Sequence, residues 1–363
     1  MPSAPNLLVI MSDQHSKHFL GCYGHPLVRT PHLDQLAAEG MRFSDAYCPA
    51  PLCVPSRMSF MTGRRPSANR VWSNTHILSS AIPTWAHALG AAGYDTALIG
   101  RMHFLGPDQR HGFLERPLGE YGAGFPGSPR LGAQLMRDIP VSTSGQCRES
   151  VEIGGRGRTT YQAFDEMVAD AACSYLQERA RASHQRPFAA VAGMVLPHCP
   201  FVAPTELYDY YYPRVDIPEV SDDELPRAVR RFQEQRGIAE TLPAERIRVA
   251  RAAYLGMCEH LDAKIGRILA ALDHGVRRLV LGVGSSASTD GGAGMLAALG
   301  ARVLDAAGQP VVDGARGLGA VARVELAALR AAPAEGVLVL SDVTNPLLAE
   351  AGAASVFGPQ KGF

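Results

Sequence analysis

The stretch Asn6-Leu7-Leu8-Val9-Ile10-Met11-Ser12-Asp13-Gln14-His15 sets the fold class. From Leu7 to Met11 the residues are apolar without polar alternation, which describes a strand buried on both faces. Such a strand belongs to a sheet covered by helices on both sides, and this one stops at once in polar side chains. The pattern recurs along the chain. Tyr94–Gly100 reads as a second buried strand, followed by Arg101 and His103, and Phe188–Leu196 as a third, followed by Pro197-His198-Cys199-Pro200. Pro31–Gly40, Pro83–Gly93 and Tyr161–Ala182 read as helices. So does Ala244–Leu272, where Tyr254, Met257, Leu261, Ile265, Ile268 and Leu272 fall on one apolar face. Strands alternating with helices imply an α/β class with mainly parallel strands. Residues 106–160, rich in Gly, Pro and Arg, read as a long irregular excursion. Pro200–Pro226 reads as a loop carrying Tyr208, Tyr210, Tyr211 and Tyr212.

The 363 residues contain 35 Lys+Arg and 35 Asp+Glu, a formal net charge of zero. That balance argues against non-specific nucleic-acid binding, which needs an excess of positive charge. No apolar run approaches the length of a membrane span. The opening Met-Pro-Ser-Ala-Pro has no basic segment of a signal peptide, and the seven cysteines lack the spacing of a disulfide scaffold. Reduced thiols and a cytoplasmic location are the expectation. The composition is lopsided, however. Only Phe357 and Phe363 among the aromatic residues follow Tyr254, no Cys follows Cys258 and no His follows His274.

In open α/β sheets ligands collect beyond the carboxyl ends of the strands. Asp13 and Gln14 supply oxygen donors suited to a divalent metal, Ca²⁺ or Mg²⁺/Mn²⁺, and Arg101, His103 and His198 suit an anionic ester. The segment Cys53-Val-Pro-Ser-Arg57, continuing Met-Ser-Phe-Met-Thr-Gly63, adds a cysteine at the start of a predicted helix with proline in its first turn.

This segment resembles the sulfatase signature, and the resemblance extends over residues 5–272. It includes Asp13-Gln14, Thr30-Pro-His-Leu-Asp34, Gly100-Arg-Met-His103 and Gly106-Pro-Asp-Gln-Arg-His-Gly-Phe113, the last looking like choline sulfatases. It implies an alkaline-phosphatase/sulfatase-like sheet flanked by helices. It also implies that Cys53 is oxidised to formylglycine by a formylglycine-generating or maturase enzyme, with Arg57 supporting it. Asp13 and Gln14 would bind the metal, and Asn74, His103 and His198 would line the sulfate or leaving-group pocket, one histidine acting as general acid. Arg101 stands where the family commonly has lysine. For a choline ester, the tyrosines from Tyr208 to Tyr212 are candidate walls of an ammonium cage. The second metal-ligand pair of the family is missing; Asp273-His274-Gly275 reads as a helix end.

Beyond residue 275 the pattern restarts, with a strand at Arg278–Val283, helices at Gly294–Leu299 and near Val324–Ala331, and a strand at Gly336–Leu340. The segments Val283–Gly294, Ala298–Arg302, Asp342-Val-Thr-Asn-Pro-Leu347 and Phe357-Gly-Pro-Gln-Lys-Gly362 resemble bacterial glycerate kinases. By that resemblance Ser286, Asp290, Asp342, Asn345 and Lys361 would serve ATP/Mg²⁺ and glycerate. The expected organisation is a truncated sulfatase-like domain, residues 1–272, followed by a partial α/β glycerate-kinase-like segment, residues 273–363. The expected activity is hydrolysis of a small sulfate ester such as choline sulfate, impaired by truncation. The alternatives are a glycerate kinase, or a fusion with neither activity.

Overall fold

A computed structural model describes residues 5–44, 46, 48–121, 148–181, 186–217, 227–235, 237, 242–272, 302–309 and 322–325. In chain order the first elements are β1 (Leu7–Met11), α1 (Pro31–Glu39), α2 (Cys53–Thr62), α3 (Pro66–Asn69), α4 (Trp85–Ala91), β2 (Asp95–Gly100) and β3 (Glu115–Leu118). There follow α5 (Arg148–Glu152), β4 (Gly155–Arg156), α6 (Thr160–Arg181), β5 (Phe188–Gly193), β6 (Val202–Ala203), α7 (Thr205–Tyr211), α8 (Arg227–Gln235) and α9 (Ala244–Leu272). A short pair, β7 (Arg302–Leu304) and β8 (Arg323–Glu325), completes the described chain.

The main sheet has the order β1-β5-β2-β3, and every pairing in it is parallel. Alternate residues of its strands face opposite ways, and the core is divided accordingly. Leu8, Ile10, Ala97, Ile99, Ala190 and Ala192 pack with Phe164, Val168 and Leu176 of α6 and Met257, Leu261 and Ile265 of α9. Met11, Leu98 and Val191 pack on the other side with Val54, Met58 and Met61 of α2 and Ala86 of α4. Helices thus cover both faces, as the unalternating strands require.

The structure adds elements to two segments that read as irregular. Within residues 106–160 it contains β3, a fourth strand of the main sheet, together with α5 and β4. Only Leu118 of β3 is buried, so this edge strand shows no apolar run. The expected loop after Pro200 contains β6 and α7, and all of its tyrosines but Tyr212 lie on α7. The helix expected to start near Val324 is also corrected. Arg323–Glu325 is a strand antiparallel to Arg302–Leu304, with Arg302 ion-paired to Glu325. Its partner lies earlier in the chain, a pairing that helical periodicity cannot register. Ser286, Asp290, Asp342, Asn345 and Lys361 lie outside the described residues, as do Asp273-His274-Gly275.

The strand exits β2 and β5 approach each other more closely than side chains permit. A Cβ on Gly193 would lie 1.8 Å from the Arg101 carbonyl oxygen. Gly100, at φ +85°, would bring a Cβ within 2.5 Å of the Gly193 carbonyl. Both glycines are therefore steric requirements. Gly193→Ala is expected to lower stability by about 3 kcal/mol or more, the upper part of the range for overpacking. Equilibrium denaturation measures this, and an unchanged midpoint would contradict the close approach.

Candidate active site

The polar residues predicted at the strand exits converge around Asp13. β1 ends at Met11, and Asp13 follows, 8% exposed, with its N–H bonded to the Leu196 carbonyl beyond β5. Its Oδ2 accepts from Arg57 of α2 at 3.0 Å and from Arg101 beyond β2 at 3.1 Å. Its Oδ1 faces Cys53, whose Sγ lies 3.7 Å away. Arg57 also donates to the Arg101 carbonyl. Arg101 spreads its remaining donors over Glu120 Oε1 (3.3 Å), the Tyr121 hydroxyl (2.8 Å) and His103 Nδ1 (3.0 Å). Glu120 closes the network by accepting the His103 backbone N–H. A lysine could not make this set of bonds, because its single ammonium lacks the planar fork of a guanidinium.

Cys53 opens α2, and the Val54 N–H behind it is capped by Asn74 Oδ1 at 3.0 Å. Asn74 thereby fixes the turn that presents Cys53. Gln14 and His103 both adopt φ +61°, uncommon for residues with a side chain, directly beyond β1 and β2. Gln14 is exposed, and its carbonyl accepts from the Tyr254 hydroxyl. His198 follows β5 and lies edge-on to Tyr161 at 5.9 Å between ring centroids. The backbone before it is held by Asp165 of α6, which is wholly buried and accepts the N–H groups of Val195 and Leu196, each at 2.8 Å.

The environment sets distinct protonation states. Burial opposes charge on Asp13, but Arg57 and Arg101 outweigh it and hold the carboxyl well below the usual range. Burial and the neighbouring Asp13 charge raise the Cys53 thiol, so it stays protonated near neutrality. Burial, together with Arg101 and Arg57, pulls His103 down to about 3. His198 moves the other way: burial lowers it, but its bond to Cys199 and the Asp13 charge more than compensate. Asp165 is pushed up to about 7 by burial, against its two backbone bonds.

A hard divalent cation takes oxygen ligands, six to eight for Ca²⁺, and for Mg²⁺ mostly waters with one or two carboxylates. Among the described residues the cluster of ligating groups is Asp13, Cys53 and His198, their ligand atoms all within 4.8 Å of one another. That set offers one carboxylate, whose Oδ2 is already held by two guanidiniums, with a thiol and an imidazole. By itself that set lacks the oxygen donors of a Ca²⁺ site; Gln14, the other oxygen donor expected, follows Asp13 directly beyond β1.

Four residues at the site were not singled out from the sequence: Glu120, Tyr121, Tyr161 and Asp165. Glu120 and Tyr121 follow the unrecognised β3. Asp165 carried a signal, being an acid on the apolar face of α6 beside Phe164 and Val168. Of the tyrosines expected as candidate cage walls, three are engaged within the chain. Arg29 and Arg214 lie 3.9 and 4.2 Å from the Tyr210 ring centroid, Tyr211 donates to Glu259, and Tyr212 donates to Glu245. All cysteines among the described residues are free thiols, and no described helix is long and apolar enough to cross a membrane.

Comparison with known proteins agrees with the geometry. Among solved structures, the phosphonate monoester hydrolase of Agrobacterium radiobacter superimposes with a TM-score of 0.59 at 21% identity, covering 77% of this chain and 62% of that one. A 2-O GAG sulfatase does so at 0.54 and 20% identity, covering 77% and 57%. These likenesses establish the alkaline-phosphatase/sulfatase-like fold. The choline-sulfatase of Rhizobium meliloti (strain 1021) is 35% identical over 279 residues, 74% of this chain and 54% of that protein. Human arylsulfatase A is 43% identical over 111 residues, 29% of this chain and 22% of that protein. The chain thus spans about half the length of the first of these relatives. A sequence model of the glycerate kinase family matches residues 265–363. The sulfatase model matches residues 5–281, a span that contains the whole main sheet, Cys53 and every side chain gathered around Asp13. By that match the chain belongs to the sulfatase family.

Proposed function

We propose that the sulfatase-like part, residues 1–272, hydrolyses a small sulfate ester, with Cys53 converted to formylglycine by a maturing enzyme. The observation that carries this reading is the position of Cys53, at the first turn of α2 with its Sγ 3.7 Å from Asp13 and Arg57 on the same helix. The thiol itself is a poor nucleophile there, since burial and Asp13 keep it protonated. When formed, formylglycine supplies a geminal diol at that position. The other residues bind and orient the ester. Asp13 and Glu120 balance Arg57 and Arg101 in charge, so a protonated His198 is the uncompensated positive group facing an anion. Asn74 holds the turn, and Asp165 is a positioning residue for the segment that carries His198. Likeness to a choline-sulfatase favours choline sulfate as substrate, and Tyr121 and Tyr161 supply aromatic surface beside Arg101 and His198.

Release of sulfate from choline sulfate or an aryl sulfate tests the proposal. Cys53→Ala is expected to reduce turnover roughly 10³-fold or more, as loss of a nucleophile does. Absence of turnover by a chain whose Cys53 is shown by mass spectrometry to be formylglycine would overturn it. ATP-dependent phosphorylation of glycerate would instead support the glycerate-kinase reading, which rests on the match to residues 265–363.

The opposed shifts of the two histidines favour His198 as the acid. A general acid must carry its proton, so turnover is expected to fall as pH rises through the His198 value, which lies above the ordinary 6.5. His103, at about 3, is neutral across that range and contributes no such limb. The pH–rate profile should therefore lose its alkaline limb in His198→Gln and keep it in His103→Gln. The reverse pattern would exchange the roles.

A further inference from the structure

One carboxylate, a thiol and an imidazole within reach of one another match a softer ion than Ca²⁺. We propose that the unmodified chain binds one Zn²⁺ ion through Cys53 Sγ, an imidazole nitrogen of His198 and Asp13 Oδ1. A thiolate, an imidazole and a carboxylate are the ligand types zinc prefers. With bonds of about 2.0–2.3 Å, a tetrahedral zinc site separates its ligands by about 3.3–3.7 Å. Sγ and Oδ1 already stand 3.7 Å apart, and the whole set lies within 4.8 Å. The widest separation needs to close by about one ångström, a side-chain adjustment at a partly exposed cysteine and histidine.

Two further observations point the ligand atoms the right way. A carbonyl only accepts, so the 2.5 Å contact between His198 Nδ1 and the Cys199 oxygen makes Nδ1 the donor and leaves Nε2 with its lone pair. This is the support a zinc-bound histidine ordinarily has. Asp13 is divided in the same manner: both guanidiniums hold Oδ2, and Oδ1 is turned toward Cys53. His103 is excluded as a ligand through Nδ1, which accepts from Arg101.

The nearby arginines do not forbid a cation. Asp13, Glu120 and a Cys53 thiolate carry three negative charges against two on Arg57 and Arg101. A divalent ion brings the site to +1, and an anionic fourth ligand such as hydroxide or chloride neutralises it. Binding displaces the Cys53 thiol proton, and any proton on the ligating nitrogen of His198, to solvent. No oxidation is involved. A zinc-bound Cys53 has its sulfur occupied, so the metal and conversion of this cysteine exclude each other.

The test uses the full chain with Cys53 verified as a thiol by mass spectrometry. Co²⁺, which reports thiolate ligation by a charge-transfer band in the near ultraviolet, is titrated in and then displaced by Zn²⁺. One equivalent is expected to develop the band and to slow alkylation of Cys53 by iodoacetamide. Cys53→Ser should abolish the band. His198→Ala and Asp13→Asn should weaken binding roughly tenfold or more, at least the loss seen when a ligand's supporting partner is removed. Cys173→Ala should leave it unchanged. Absence of a band in the parent chain, or its persistence in Cys53→Ser, overturns the inference. The inference does not rest on hydrolysis: a thiol form that binds Zn²⁺ beside a matured form that releases no sulfate would retain this site and remove the proposed function.

Discussion

A single carboxylate oxygen, Asp13 Oδ2, ties three parts of the fold together. It receives one guanidinium from α2 and another from the exit of β2, while its own backbone follows β1. All three side chains are almost wholly buried, so none can exchange its partner for water. Removing one member strands the others as buried charges, which costs far more than an exposed ion pair is worth. The position of Cys53 relative to the strand exits follows from this junction, because Arg57 sits one helical turn beyond it on α2.

The surroundings of that junction show how environment divides the work of like residues. His103 and His198 stand at equivalent places, just beyond neighbouring parallel strands. Burial and two guanidiniums hold the first neutral; the second, against burial, is bonded at Cys199 and senses the Asp13 charge, which favours its protonated form. Asp13 and Asp165 differ in the same way, one charged by its arginines and the other raised by burial. Residue type alone carries none of these distinctions.

Much of the fold was legible because its central strands are buried on both faces and read as unbroken apolar runs. β1 and β5 announce themselves in this way, β2 by Ala97-Leu98-Ile99 after a polar start, and the long helices α6 and α9 by their periodic faces. β3 escaped because Glu115-Arg116-Pro117-Leu118 lies at the sheet edge with one buried side chain. Its polar followers Glu120 and Tyr121 were lost with it, since the rule that finds site residues first needs the strand. α7 was hidden by tyrosines whose rings pack while their hydroxyls and faces meet charged groups, so they form no simple apolar stripe. Cys53 and Arg57 were recognisable from their motif. The sharing of Asp13 by two arginines was not, because it joins residues up to 88 positions apart.

The glycine contact between the exits of β2 and β5 has a mechanical consequence. With no side chain between them, the Gly193 and Arg101 backbones touch, and Arg101 donates its N–H to the Gly193 carbonyl. Displacing the turn that carries His103 must therefore displace the one that carries His198. A ligand entering between these histidines meets a template set during folding, whose reorganisation has been completed before binding rather than at the moment of reaction.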